Sequence, residues 1–280
     1  MGEQEQKKRW SDIDRTAEPG YFIDYLDRAT ALGFFQAYKR ETYGMLDARE
    51  GHQLLDVGCG TGDDVLALAQ IVGNAGQVVG IDNSETLISE AKKRTEGLNL
   101  PVEFQVGDAH NLDFADNTFD GCRADRVFQH LPDRDQALSE MIRVARPGSR
   151  IVVNDPDWET LALDVPDRDL TRKILNHFCD SIPNGWCGRQ LPALFKKAGL
   201  LDIVVTTKTF ILTDFVMANQ LYGLQAATER LQEAGTITVL EATEWLEHLK
   251  QASQAGLFFS AMTGFAASGR KPRQTTSPGQ

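Results

Sequence analysis

"LLDVGCGTGDD", residues 54–64, decides the fold. An apolar run ends in Asp56, and glycines follow at alternate positions: Gly58, Gly60 and Gly62. Glycine has no Cβ, so such a loop takes positive φ angles and lets a ligand approach the backbone. In the following "DDVLALAQIV", Val65, Leu68, Ala69 and Val72 recur at i, i+3, i+4 and i+7, which puts one apolar helix face against a sheet. Strand, tight turn and helix in that order make a nucleotide-type site. The dinucleotide fingerprint G-x-G-x-x-G is not met, because Asp63 holds its sixth position and glycine arrives one residue early. A carboxylate at Asp56 would also repel a pyrophosphate. NAD is therefore disfavoured, and a cationic or zwitterionic ligand is expected.

With 280 residues, 41% of them hydrophobic, the chain can build one main domain with an appended cap. A net charge of −11 argues against a surface that grips phosphate backbones, so no nucleic-acid partner is expected. Cys59, Cys122, Cys179 and Cys187 show no C-x-x-C spacing, which fits a reduced, cytoplasmic interior. No signal core and no membrane-length apolar run is present, so a soluble protein without a membrane partner is expected. Residues 1–18 and 271–280 are polar, contain Pro and Gly, and read as disordered tails.

Strands and helices alternate from residue 53 to about 155, the pattern of a doubly wound, mainly parallel α/β sheet. The strands read as 53–58, 77–82, 102–108, 119–124 and 150–157, with Ser84 as N-cap of the helix after the second. A helix from Arg134 is expected to stop at Pro147-Gly148. Further on come a helix near 167–181, an amphipathic stripe of Leu191, Leu194, Phe195 and Ala198, a β-rich run at 202–212 and a last strand from near Leu257. Between those last two strands, residues of about 213–254 read as a helical lid inserted into a domain spanning 49–270. Residues 19–48 form a second helical cap segment, and either segment could instead bury a homodimer interface, so monomer and homodimer both stay open.

In order, "LLDVGCGTGDD", "VVGIDNSETLISEAKKR", "VEFQVGDAHNLDFADNTFD" and "RVFQHLPD" with "LSEMIRVARPGSRIVVNDPD" resemble the class I S-adenosylmethionine-dependent methyltransferases, in particular the small-molecule group that includes ubiquinone/menaquinone-type enzymes. The resemblance spans roughly residues 53–155. It implies a Rossmann-like seven-stranded sheet whose last strand is antiparallel, and S-adenosylmethionine as cofactor. By the family's pattern Asp56 organises the loop and faces the amino-acid end of the cofactor, while Gly58, Gly60 and Gly62, with Cys59 between them, let the backbone approach it. Asp82, followed by Asn83, would receive the ribose hydroxyls; Asp108 would hold the adenine amino group and Ala109 would offer its amide. Asp82 as a helix cap, Asp108 as a turn residue and Cys59 as a small filler are the structural alternatives.

Methyl transfer from a sulfonium removes a positive charge, so the protein must align and desolvate rather than stabilise a new anion. His130 in "FQHLPD" is the candidate general base near the methyl group, against local packing. Arg123 and Arg126 share that edge: Arg123 is placed with the cofactor residues and Arg126 with the substrate, each able to take an anionic group bidentately or to pair with Asp125 or Asp155. Asp155, Asp157 and Trp158 in "NDPDW" end the fifth strand where an acceptor would enter, and Tyr21 reaches it from the N-terminal cap; Phe178 and Trp186 are further pocket candidates. "NDPD" follows the fifth strand and lacks a second proline, unlike the (D/N)PP(Y/F/W) motif of amino-group methyltransferases. The partner is then a small, partly apolar methyl acceptor such as a quinone, phenol or natural-product scaffold, with no metal. An NAD-dependent oxidoreductase and a non-catalytic nucleoside-binding module on the same sheet are the alternatives; an aminopropyltransferase lacks a recognisable acidic cleft, and an arsenite methyltransferase, which relies on several converging thiols, would have Cys179 and Cys187 to draw on.

Overall fold

The computed structural model describes residues 10–273. Seven strands form one sheet of order β3-β2-β1-β4-β5-β7-β6. They are β1 Gln53–Val57, β2 Gln77–Asp82, β3 Val102–Val106, β4 Phe119–Asp125, β5 Ala145–Leu163, β6 Leu201–Leu212 and β7 Ser260–Arg270. The first five pair in parallel, and β7 runs antiparallel to both β5 and β6. This is the Rossmann-like sheet with an antiparallel last strand.

Side chains alternate across the sheet with period two. Leu55, Val57 and Ile81 bury one face against α5 Arg134–Val144 and α7 Cys187–Lys197, through Leu138, Met141, Leu191 and Phe195. Leu54 and Val78 bury the other against α3 Asp63–Val72, where the stripe Val65, Leu68, Ala69 and Val72 is fully buried. The helix α4 Glu85–Thr95 starts at Ser84, whose hydroxyl accepts the Leu87 N–H at 3.2 Å.

A second apolar cluster lies above the carboxyl ends of the strands. It combines α1 Gly20–Ala31 and α2 Gly33–Met45 with α6 Arg168–Asp180, α8 Phe215–Tyr222, α9 Leu224–Glu233 and α10 Val239–Gln254. Phe35, Phe178, Tyr222, Trp245 and Leu249 are among its buried members. The helix α10 opens with a capping box between Thr238 and Glu241.

Four sequence expectations are corrected. The helix α5 ends at Val144, because Ala145 already pairs with Phe119 in the sheet. Strand β5 continues past Asp157 to Leu163, since after an irregularity between Asp157 and Ala162 β7 again offers it an antiparallel partner, as far as Leu163 opposite Ser260. The last strand starts at Ser260 rather than near Leu257. Residues 10–18 of the expected disordered tail are ordered: Ile13 is buried, and Asp14 accepts the Ser84 hydroxyl and the Glu85 N–H, both at 2.7 Å. The rest of that tail, residues 1–9, and residues 274–280 of the other lie outside the described residues. Among the described residues no helix is long and apolar enough to cross a membrane.

Because the cap has its own core, truncating that core should destabilise the chain directly. Leu249→Ala removes a fully buried side chain and is expected to cost about 2–5 kcal/mol. Thermal unfolding followed by far-UV circular dichroism should show a midpoint lowered by several degrees; an unchanged midpoint would mean the cap does not pack as described.

Candidate active site

The loop after β1 rises toward the cap with Gly58 at φ 71°, Gly60 at 56° and Gly62 at 86°. Space enforces the same choice as torsion: a Cβ on Gly58 would collide with Val127, and one on Gly62 would sit 2.9 Å from the Phe104 ring. Gly62 is the N-cap of α3, with Asp63 and Asp64 in the first turn where the helix dipole favours acids.

Beneath the loop lies a buried ionic cluster. The Arg123 guanidinium donates to Asp56 at 2.9 Å and to the Thr42 hydroxyl at 3.0 Å, and pairs with Asp64 at 3.3 Å and Asp125 at 3.2 Å. Lys39 on α2 reaches the same Asp64 at 2.6 Å and Asp125 at 3.8 Å, and the Tyr43 hydroxyl also donates to Asp64. Burial works against ionisation of Asp64, but Arg123, Lys39 and these hydrogen bonds outweigh it and hold its carboxyl well below the usual range. For Asp56 burial dominates and pushes the carboxyl up, with Arg123 pulling the other way.

Above the cluster opens a cavity of about 1600 Å³. Gly58, Gly60, Asp82, Asn83, Asp108 and Ala109 line one end; Tyr21, Arg126, His130 and Trp158 line the wall toward the cap. That volume exceeds the ~300–1,000 Å³ common for one small ligand, so it has room for two. Asp82 accepts the Gly60 N–H and the Ser84 N–H, both at 3.0 Å, one on each oxygen. A carboxylate has about four lone-pair sites, so acceptor capacity remains for a ligand's hydroxyls. Asn83 donates to the Ser11 carbonyl at 3.1 Å, which ties the N-terminal segment across this end. Burial raises the Asp108 carboxyl, but the backbone and ring N–H groups of His110 outweigh it and hold Asp108 below its ordinary value. The residues fit S-adenosylmethionine: the glycine backbone leaves the wall free of side chains, and Asp82 presents a carboxylate with spare acceptor capacity.

Several expected site residues are not in this wall. Arg123 faces neither cofactor nor substrate, because its guanidinium is fully buried among the three aspartates. Asp56 likewise turns to Arg123 instead of the cavity. Cys59 is buried below the loop beside Gly80, and burial pushes its thiol well up. Asp155 accepts the N–H groups of Phe128 and Gln129 at 3.1 and 3.2 Å, and Asp157 pairs with Arg189. Both acids are fully buried because β5 runs on through them. Trp186 is exposed beneath the Arg189 guanidinium, whereas Phe178 lines the cavity. His130 does line it, stacked on Trp10 with ring centroids 6.0 Å apart. Burial, helped by the nearby Arg126 charge, pushes its imidazole down to about 3, so it is neutral and a poor general base.

Sequence reading missed Trp10, Tyr25, Gln129, Phe210 and Tyr222, all in the cavity wall. Tyr25 was accessible in principle, being four residues from Tyr21 on one helix face; the others carry no local signal.

The strand order, glycine loop and acid at the end of β2 define an S-adenosylmethionine-dependent methyltransferase of class I. A methyltransferase-domain family model matches residues 48–252, and the chain belongs to that family. An uncharacterized 37.1 kDa protein in transposon TN4556 of Streptomyces fradiae is 42% identical over 243 residues, covering 86% of this chain and 69% of that protein. The demethylmenaquinone methyltransferase of Bacillus cereus is 34% identical over 160 residues, 57% of this chain and 67% of its own length. Among solved structures, the YcgJ protein from Bacillus subtilis shares the fold with a TM-score of 0.59 at 17% identity, over 85% of this chain and 99% of that one.

Asp64 gives a pH-dependent test. Its folded pKa lies below the ordinary 3.8, so its contribution is present above about that pH and is lost as pH falls through the folded value. Asp64→Asn should cost about 3–5 kcal/mol at neutral pH, and in urea unfolding the gap to the wild type should narrow below pH 3.8. A gap independent of pH would show that Asp64 is not ionised in the folded protein.

Proposed function

We propose that this methyltransferase acts on a small, partly apolar acceptor of quinol, phenol or related natural-product type. The observation that carries the reading is that one cavity joins the glycine loop and Asp82 to an aromatic chamber under the helical cap. When bound, S-adenosylmethionine supplies a methyl group on an electrophilic sulfonium. Asp82 accepts the ribose hydroxyls, Asp108 and Ala109 address the adenine, and Gly58 and Gly60 leave room for the amino-acid end. Trp158, Tyr21 and Phe178 exclude water from the acceptor side and offer flat apolar surface. His130, neutral at physiological pH, accepts a hydrogen bond from an acceptor hydroxyl and orients it rather than removing its proton. Residues 19–48 and 213–254 act as cap and lid, and the demethylmenaquinone methyltransferase of Bacillus cereus lends support to a quinol-type acceptor.

The test is thermal unfolding with S-adenosylmethionine and, separately, NAD, followed by transfer of labelled methyl to a panel of hydroquinones and phenols. S-adenosylmethionine at about 100 times its dissociation constant should add roughly 2.7 kcal/mol of stability, Asp82→Ala should remove most of that shift, and NAD should give none. A shift with NAD alone, or methylation confined to polar amines, would overturn this reading.

A further inference from the structure

Two arginines three residues apart on the same strand end are treated in opposite ways. Arg123 is enclosed by three carboxylates. Arg126, just beyond β4, forms no ion pair among the described residues, although the interior holds acids within reach of its neighbours. Asp125, adjacent to it, is already engaged by Arg123 at 3.2 Å, the Tyr38 hydroxyl at 3.1 Å and the Asn154 amide at 2.7 Å. The guanidinium of Arg126 lies 4.9 Å from the Phe35 ring centroid and 6.0 Å from that of Tyr25. Its Nε is buried without a hydrogen-bond partner. The residue borders the cavity and holds φ at 59°, a conformation that costs energy for any residue but glycine.

These features belong together. A buried cation is expensive unless its donors are satisfied, and aromatic faces compensate the charge without using the N–H groups. The charge of Arg126 is thus supported by the Phe35 and Tyr25 rings and by Asp125, the Tyr25 hydroxyl takes up part of its donor capacity, and the rest of the fork is left without a partner at the border of the cavity. A planar guanidinium in this state matches a carboxylate or another anionic oxygen group.

We propose that the methyl acceptor carries an anionic oxygen group, a carboxylate or an ionised hydroxyl on an aromatic frame, and that Arg126 receives it beside Phe35 and Tyr25. This inference rests on the acceptor reading above and narrows it. An anionic acceptor also fits a neutral His130: a hydroxyl beside a carboxylate held by Arg126 still donates to the imidazole, and one that arrives ionised needs no base and takes its hydrogen bonds from Arg126 instead. The free carboxylate of the cofactor has the same chemistry, so the test must separate the two sources.

Isothermal titration with S-adenosylhomocysteine and with 5′-methylthioadenosine, which lacks the carboxylate, addresses the cofactor arm. With S-adenosylhomocysteine saturating, 1-hydroxy-2-naphthoate, 2-hydroxybenzoate and 3,4-dihydroxybenzoate are then compared with their methyl esters. The wild type should bind at least one acid about tenfold or more tightly than its ester. Arg126→Gln should erase that preference, Arg126→Lys should restore part of it, and both variants should keep S-adenosylhomocysteine affinity, which also certifies their fold. Equal binding of acids and esters by the wild type, or no binding of any acid, overturns the inference while leaving the cofactor reading intact. A loss in Arg126→Gln that affects S-adenosylhomocysteine but not 5′-methylthioadenosine assigns the guanidinium to the cofactor instead and also overturns it. Failure of the wild type to bind S-adenosylhomocysteine withdraws the acceptor reading and this inference together.

Discussion

The site depends on one fully buried guanidinium, that of Arg123, being neutralised from several directions at once. Asp56 comes from β1, Asp64 from the first turn of α3 and Asp125 from the end of β4, while α2 supplies the Thr42 hydroxyl as an acceptor and Lys39 as a second cation on the same acids. Four elements, three consecutive in the chain and β4 reached only after β2, α4 and β3, are thereby given one relative position. Buried ion pairs are weak contributors to net stability because desolvation opposes them, whereas removal of a single member leaves an uncompensated charge. The cluster therefore acts on geometry: it admits one arrangement of the strand ends and rejects neighbouring ones.

Loop geometry follows from that arrangement. With Asp56 drawn down to Arg123, the chain must turn upward immediately after Val57, and it does so against Val127 on one side and Leu26 of α1 on the other. A Cβ at Gly58 would run into Val127, so contact as well as torsion accounts for that glycine, whereas at Gly60 the positive φ is the stricter requirement. Cap and loop are thus a single construction. Helix α2 joins the ionic cluster through Lys39 and lends Phe35 to the cavity wall, so displacement of the cap would disturb the floor of the site.

Local signals made the sheet legible. Periodic apolar positions in α3 and α5, the glycine loop and the acid closing β2 each depend on a few adjacent residues, and the structure places the elements where those signals put them. The errors share one origin. Asp155 and Asp157 read as strand-end acids because nothing within "NDPDW" reveals that β7, about a hundred residues later, supplies β5 with a partner as far as Leu163. Arg123 read as a ligand contact because strand alternation tells that Arg123 and Asp125 share a face, but not that Lys39 and Asp64 have already filled the space before it with charge. Trp10 lies in a polar N-terminal stretch, and only its ring contacts with Phe22, Tyr25 and His130, distant in sequence, bring it to the site.

Burial then decides what chemistry the wall can perform. An imidazole with access to water would titrate near neutrality, but His130 is enclosed by Trp10 and faces the Arg126 charge, and both effects favour its neutral form. The enclosure that weakens it as a base is the same enclosure that keeps water from competing for the methyl group. A site of this type gains its rate from alignment and desolvation, since the reaction consumes a positive charge and creates no anion to be stabilised. Any acidity the reaction needs must then reside in the acceptor, and Arg126, a cation of the wall with a donor to spare beside His130's end of the cavity, stands where such an acceptor would meet it.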